Sequence, residues 1–390
     1  MANYINPRID CMKCVQCQAL YRVGDYFEGC PSCLSAGAPA SIAPHYAEWP
    51  TKLDYITIND WLSYPFSDLG EGKTSLSSLP RLAASLGLTS LHTKNEFTNP
   101  TGSHKDRMGS LVAQRAADIR IRTVAIASSG NAGASMAAYS ARNGLECVVV
   151  TTPQISPNWR RAIETHGARI IATETDDDRW SLIASQAKKG NWYPATNYTI
   201  PPVGSNPFGV DGYRAIAFEL HLQFGETAPT DIVVPTARGD LLWSIAKGYD
   251  DLREAGFIQS IPRIHAVEPF PRIGAALSGH GMVGHVPDDT NMGSISGNTV
   301  TQQTLRALKM SKGYAVAVQD TEVAADQAIL GSEGLYLELS SVATLTGVRH
   351  LIREKKIGSD ARVVLIATSH GYKEETRYRD QLPVTDWPVG

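Results

Sequence analysis

The sequence predicts an α/β protein with mainly parallel sheets. Three observations support this. From about Leu91 onward, short apolar runs alternate with helix-patterned stretches, which is the pattern of βαβ units. Polar, glycine-containing turns close several of the apolar runs. The chain has 390 residues, 43% of them hydrophobic, enough to bury two cores when domains run to roughly 100–200 residues each.

The elements follow in order. TVAIA (Thr123 to Ala127) reads as a strand, Ser128-Ser129-Gly130-Asn131 as a turn and AGASMAAYSAR as a helix of small residues. Gly144 stands where a helix C′ glycine belongs. LECVVV is the next strand, SPNWRRAIETHG a helix and ARIIAT a further strand. A second series begins with the helix DGYRAIAFELHLQFG, then the strand DIVVP, the helix LLWSIAKGYDDLREAG and the strand IHAVEP. ARVVLIAT is the last strand and runs into Ser369-His370-Gly371. Ligands of open parallel sheets sit beyond the carboxyl ends of strands. The turns SSGN, TARGD and TSHG each follow such an end, which places them on one functional face. The sequence shows no internal repeat and no low-complexity tract.

Composition excludes several classes. A formal net charge of −3 offers no broad basic field for nucleic acid or an anionic membrane. No apolar run reaches the ~20 residues of a membrane span. The opening segment MANYINPRIDCMKC has no apolar stretch of signal-peptide type, so a cytosolic location is expected. Five of the six cysteines lie between Cys11 and Cys33, and Cys147 stands alone. Such clustering fits metal ligation in a reducing compartment better than disulfides. Cys14-x2-Cys17-x12-Cys30-x2-Cys33 has zinc-ribbon spacing, and four thiolates suit tetrahedral structural zinc. Cys11 leaves an alternative open, because it can replace Cys14 or Cys17. The stretch AGAPASIAPHYAEWP that follows reads as a linker packed on a larger body.

The segment NEFTNPTGSHKDR (Asn95 to Arg107) is the most informative. Taken alone, Lys105 could be a solvated loop lysine. The whole string resembles the cofactor-lysine motif of the fold-type II pyridoxal phosphate (PLP) enzymes of threonine synthase type, with His104 where that family usually has Phe. Four further stretches match in order: EGKTSLSSLPRL, SSGNAGASMAAYSARNG, LYLELSSVATLTGV (Leu339 replacing a proline) and ATSHGYKEE. The N-terminal cysteine ribbon also occurs in members of the family.

The resemblance implies two open, twisted, mainly parallel sheets flanked by helices, with a small zinc-ribbon-like segment at the N-terminus. The implied organisation is a Cys-rich segment over 1–40, a large PLP-binding domain from 41–115 and 201–390, and a small α/β domain over 116–200. Homodimers are common among such relatives. Lys105 would hold the cofactor as a Schiff base and move protons at the substrate. For that it must be partly neutral, and burial lowers a lysine pKa. Ser128, Ser129, Gly130 and Asn131 would hold the substrate carboxylate at a helix N-terminus, Asn131 also contacting the cofactor 3-hydroxyl. His104 would lie beside the substrate. Thr368 would meet the pyridine nitrogen, a hydroxyl partner that makes the ring a weaker electron sink. Asp106 and Arg107 are expected to be structural, as an ion pair or a helix start.

Two departures from the family matter. The phosphate loop reads Thr236-Ala237-Arg238-Gly239-Asp240, with one glycine instead of a Gly-Asn-rich nest. Asp240 would repel a phosphate if it pointed inward. Arg238 could neutralise Asp240 or bind the phosphate itself; a loop remodelled for another anion is the competing reading. Gly209 stands where threonine synthases commonly carry an arginine that reads the substrate phosphate. The expected function is therefore PLP-dependent β/γ-elimination or replacement on an amino acid. An ammonia-lyase or dehydratase, or a β-replacing synthase of cysteate type, is the alternative. A non-catalytic PLP-binding regulatory protein is a further class. Trp192, Tyr193, Trp243 and Glu268 are open as pocket or structural residues.

Overall fold

The computed structural model describes residues 5–225, 227–284 and 290–374. Strands β1 (Ile9–Cys14), β2 (Leu20–Tyr21) and β3 (Ile42–Tyr46) form a small antiparallel sheet in the order β2-β1-β3. β3 corrects the linker reading of AGAPASIAPHYAEWP. Ile42, Pro44 and Tyr46 turn inward at alternate positions, a strand period that the two prolines and the alanines of the stretch obscure.

The larger sheet holds β4 (Leu76–Ser78), β5 (Ser90–Lys94), β10 (Asp231–Pro235), β11 (Arg263–Glu268), β12 (Ala315–Ala317) and β13 (Arg362–Ile366). Their order is β12-β11-β10-β13-β5-β4, and all neighbours are parallel except β4 with β5. The second sheet is fully parallel, with β6 (Thr123–Ala127), β7 (Glu146–Thr151), β8 (Arg169–Ala172) and β9 (Tyr193–Pro194) in the order β8-β7-β6-β9.

Central parallel strands are buried on both faces, which is why they read as apolar runs. Along β10, Ile232 and Val234 enter one core while Val233 enters another; along β13, Val364 and Ile366 separate from Val363 and Leu365 in the same way. The first of these cores also takes Val124 and Ile126 of β6, and Met12 and Ile42 of the N-terminal sheet. It therefore joins all three sheets.

The helix expected over DGYRAIAFELHLQFG (211–225) begins as a 3-10 turn at Gly212–Arg214 and becomes α-helical over Ala215–Phe224, and a separate short helix, Pro207–Asp211, precedes it. The 3-10 turn lies against the helix Lys105–Asp118, where a Cβ on Gly212 would overlap the Arg107 carbonyl oxygen. Arg107 does not pair with Asp106. It bonds Glu96 at 2.7 Å and Glu219 at 2.6 Å, and Lys94 also bonds Glu219 at 2.6 Å, all fully buried. Asp106 instead accepts from the Thr101 backbone N–H at 2.6 Å, and from the Thr101 hydroxyl. None of the described helices is long and apolar enough to cross a membrane.

Candidate active site

Four strand ends converge on one cavity of about 770 Å³. β5 leads to Lys105, β6 to the Ser128 turn, β10 to the Thr236 turn and β13 to Thr368. His104, Lys105, Ser128, Ser129, Gly130, Asn131, Thr236, Ala237, Arg238, Gly239, Asp240 and Thr368 all line it.

Lys105 opens the helix Lys105–Asp118, with its Nζ 5.7 Å from the centre of the Tyr213 ring. Burial pushes its pKa down, and the Arg238 charge adds to this; Asp240 and Glu338 act the other way. His104 packs beside the same tyrosine, ring centres 5.4 Å apart. Burial holds its imidazole well below the usual range, so it is neutral at pH 7.

Two helix N-termini share the cavity with this lysine. The helix Asn131–Arg142 begins after Gly130, and Ser128 Oγ accepts from the N–H groups of Gly130 (3.2 Å) and Gly133 (2.9 Å). The Ser129 N–H has no acceptor among the described residues. The first helical N–H groups have none within a helix, so this end suits an anion. Ser129 Oγ bonds Thr151 Oγ1 at 2.8 Å and accepts from Arg179 Nη1 at 3.2 Å.

The second N-terminus belongs to the helix Asp240–Glu254. Gly239 has φ +82°, and a Cβ there would overlap the Thr304 hydroxyl, so the single glycine of the loop sits where only glycine fits. The N–H groups of Ala237, Arg238 and Gly239 have no acceptor among the described residues. The Arg238 guanidinium lies 5.3 Å from the Trp180 ring. Asp240 is turned sideways, accepting from Ser205 Oγ at 2.7 Å and from Gln303.

Several site residues were not singled out from sequence. Glu338 accepts from Thr368 Oγ1 (3.2 Å), Asn131 Nδ2 (3.2 Å) and Ser294 Oγ (3.1 Å), and burial pushes its pKa up. Thr368 Oγ1 also lies 2.7 Å from Ser341 Oγ. Lys373 Nζ donates to Asn131 Oδ1 at 2.8 Å and lies 5.1 Å from the Trp159 ring. Glu338 and Lys373 fall inside the matched stretches LYLELSS and ATSHGYKEE, so a signal existed. Trp159 and Arg179 sit on helices of the second sheet and carried no local signal. Trp192, Tyr193 and Trp243 do not line the cavity. Glu268 accepts the Ile273 N–H at 2.9 Å, which makes it a helix-end partner.

Gly209 also lies off the cavity wall. A Cβ there would be 2.5 Å from Val112 Cγ2 and 2.8 Å from Met108 Cγ, both on the Lys105 helix. A side chain at this position requires the Val112 and Met108 side chains to shift.

At the N-terminus, the sulfurs of Cys14, Cys17, Cys30 and Cys33 lie within 4.8 Å of one another. Cys14–Cys33 and Cys17–Cys30 are 3.7 and 3.6 Å apart. A tetrahedron with ~2.3 Å zinc–sulfur bonds has edges of about 3.8 Å, so the donor set fits zinc. Cys11 belongs to a separate group with Asp10 and His45.

These features fit PLP: an amine held toward its neutral form, a backbone cradle for a phosphate and a second for a carboxylate. The threonine synthase of Methanocaldococcus jannaschii is 29% identical over 387 residues, covering 93% of this chain and 92% of that protein. The threonine synthase of Mycobacterium tuberculosis (strain H37Rv) is 31% identical, covering 82% and 87%. Among solved structures, the fungal L-serine ammonia-lyase from Rhizomucor miehei superposes with a TM-score of 0.64 at 22% identity, over 77% of this chain and 94% of its own. Diaminopropionate ammonia lyase from Escherichia coli gives 0.65 at 20% identity, over 78% and 86%. A sequence model of the family described as pyridoxal-phosphate dependent enzyme matches residues 67–369, and the chain belongs to that family.

Proposed function

We propose that the protein is a lyase of threonine synthase type, acting by elimination or replacement at the β or γ carbon of an amino acid. One observation carries this reading: half-buried Lys105 shares a cavity with two turns that lead into helices, and the N–H groups of Ser129 in one and of Ala237, Arg238 and Gly239 in the other have no acceptor among the described residues. The second turn suits the cofactor phosphate and the first the substrate carboxylate.

In this reading Lys105 would hold PLP, Ala237, Arg238 and Gly239 would hold its phosphate, Asn131 its 3-hydroxyl and Thr368 its ring nitrogen. Bound there, PLP supplies the electron sink that makes the substrate Cα–H acidic. The N–H groups of Ser129, Asn131 and Ala132, which have no acceptor among the described residues, would orient the carboxylate. Lys105, lowered toward neutrality by burial, accepts the Cα proton and later returns it. Neutral His104 lies beside the reacting carbons as an uncharged wall.

Gly209 favours a second reading within the same class. The position that would carry a phosphate-reading arginine is filled by Met108 and Val112. A β-eliminating ammonia-lyase or dehydratase, or a β-replacing synthase of cysteate type, needs no such arginine. Incubating PLP-loaded protein with O-phosphohomoserine, threonine, serine, O-phosphoserine and diaminopropionate, with products read by mass spectrometry, separates the readings. Threonine from O-phosphohomoserine supports the first; a 2-oxo acid with ammonia supports the second. No turnover and no spectral shift with any of them would overturn both. We also propose structural zinc at the four cysteines, a homodimeric assembly and a cytosolic location.

A further inference from the structure

The cofactor loop carries an acid, Asp240, in the first turn of the helix whose N-terminus must hold a phosphate. We infer that Gln303, with Thr301 and Thr304, is a positioning device that turns the negative groups of this loop away from the phosphate site. The inference rests on the reading of residues 236–240 as that site.

The geometry is specific. Gln303 Nε2 donates to Asp240 Oδ1, and Ser205 donates to the same carboxylate through its backbone N–H (3.2 Å) and its hydroxyl (2.7 Å). The carboxylate is therefore held by three donors, none of them an N–H of Ala237, Arg238 or Gly239. Ser41 Oγ donates to Gln303 Oε1 at 3.0 Å, which fixes the amide so that its N–H end faces Asp240. Gly204, with φ +125°, lets the pair approach: a Cβ there would lie 2.9 Å from Gln303 Nε2 and 3.3 Å from Asp240 Oδ1.

The same helix end acts on the loop backbone. Thr301 Oγ1 and Thr304 Oγ1 both donate to the Arg238 carbonyl, at 2.7 and 2.8 Å. A peptide whose carbonyl is drawn outward presents the N–H of the next residue, Gly239, inward. Loop dipoles and the side-chain charge are thus sorted: the acceptors are taken up by Gln303, Ser205, Thr301 and Thr304, and the N–H groups of Ala237, Arg238 and Gly239 are left for a ligand. A loop with one glycine and one acid can then serve as an anion cradle.

The test uses apo-protein of the full chain, titrated with PLP and followed by the cofactor absorbance, for wild type, Q303L, D240N and the double variant. Wild type binding PLP establishes the site; wild type failing to bind sinks the functional reading and this inference together. With the site established, Q303L is expected to weaken PLP binding by about tenfold, as a released like charge near a phosphate would. Adding D240N to Q303L is expected to restore affinity to within about threefold of wild type. Q303L binding like wild type, or a double variant as weak as Q303L alone, would overturn the inference. A merely misfolded Q303L gives the second result, since removing the Asp240 charge does not repair a fold.

Discussion

The Lys373 ammonium donates to the Asn131 carboxamide oxygen at 2.8 Å, joining the end of the described chain to the first residue of the helix Asn131–Arg142. Ser369 Oγ donates to the same oxygen at 3.2 Å, and the Asn131 amide nitrogen is held by Glu338. Asn131 is thus oriented by both an amine and a carboxylate before any ligand enters.

That relationship has a pH consequence. Burial pushes Lys373 down to about 8, against the pull of Glu338 and Asp106. Wild-type kcat/KM is expected to change through a transition near pH 8, and K373Q to lose that transition while retaining the cofactor absorbance. A pH profile of both proteins checks this, and an unchanged transition in K373Q would assign it elsewhere.

The Arg107 network governs acid stability. Burial pushes the Glu219 carboxyl up, but Arg107 and Lys94 outweigh it and hold the group at about 2. A carboxyl lowered from an unfolded value of ~4.3 stabilises the fold above that value. The contribution disappears as pH falls from about 4 toward 2. Chemical denaturation over that range should show the loss in wild type and a flatter dependence in E219Q. At pH 7, E219Q is expected to cost about 3–5 kcal/mol, because it leaves buried cations short of a partner.

Gly209 is a packing position here. G209A is expected to lower stability by about 1–3 kcal/mol, as overpacking does. G209R should destabilise more, without bringing turnover of O-phosphohomoserine. Thermal unfolding and the substrate assay read the two effects. A soluble G209R with new activity would show that the Lys105 helix can yield.

The cysteine cluster gives a metal prediction. Protein purified without chelator should hold about one zinc per chain; C30S should lose it and C11S should keep it. Metal analysis of the three proteins decides, and loss of zinc in C11S would return Cys11 to the ligand set.

Much of the fold was legible because its central strands are buried on both faces. DIVVP, ARVVLIAT and LECVVV stand out as apolar runs in any window. The three polar turns were legible because each follows such a run, and parallel sheets place strand ends on one face. What sequence could not show was how the faces meet. Trp159 and Arg179 reach the cavity only because the second sheet's helices lean over it. Asp240 looked hostile to a phosphate because its restraint comes from Gln303 and Ser205, 63 and 35 residues away. β3 was missed because Pro44 and small residues mask its alternation. The helix expected from Asp211 starts as a 3-10 turn at Gly212, where the Arg107 backbone lies against it.

The most direct measurement is borohydride reduction of protein supplied with PLP, followed by peptide mass spectrometry. The cavity offers two lysines, Lys105 and Lys373, both lowered by burial. The expected result is one reduced cofactor per chain on the peptide containing Lys105, and none in K105A. Modification on Lys373 instead, or no modification at all, would contradict the account.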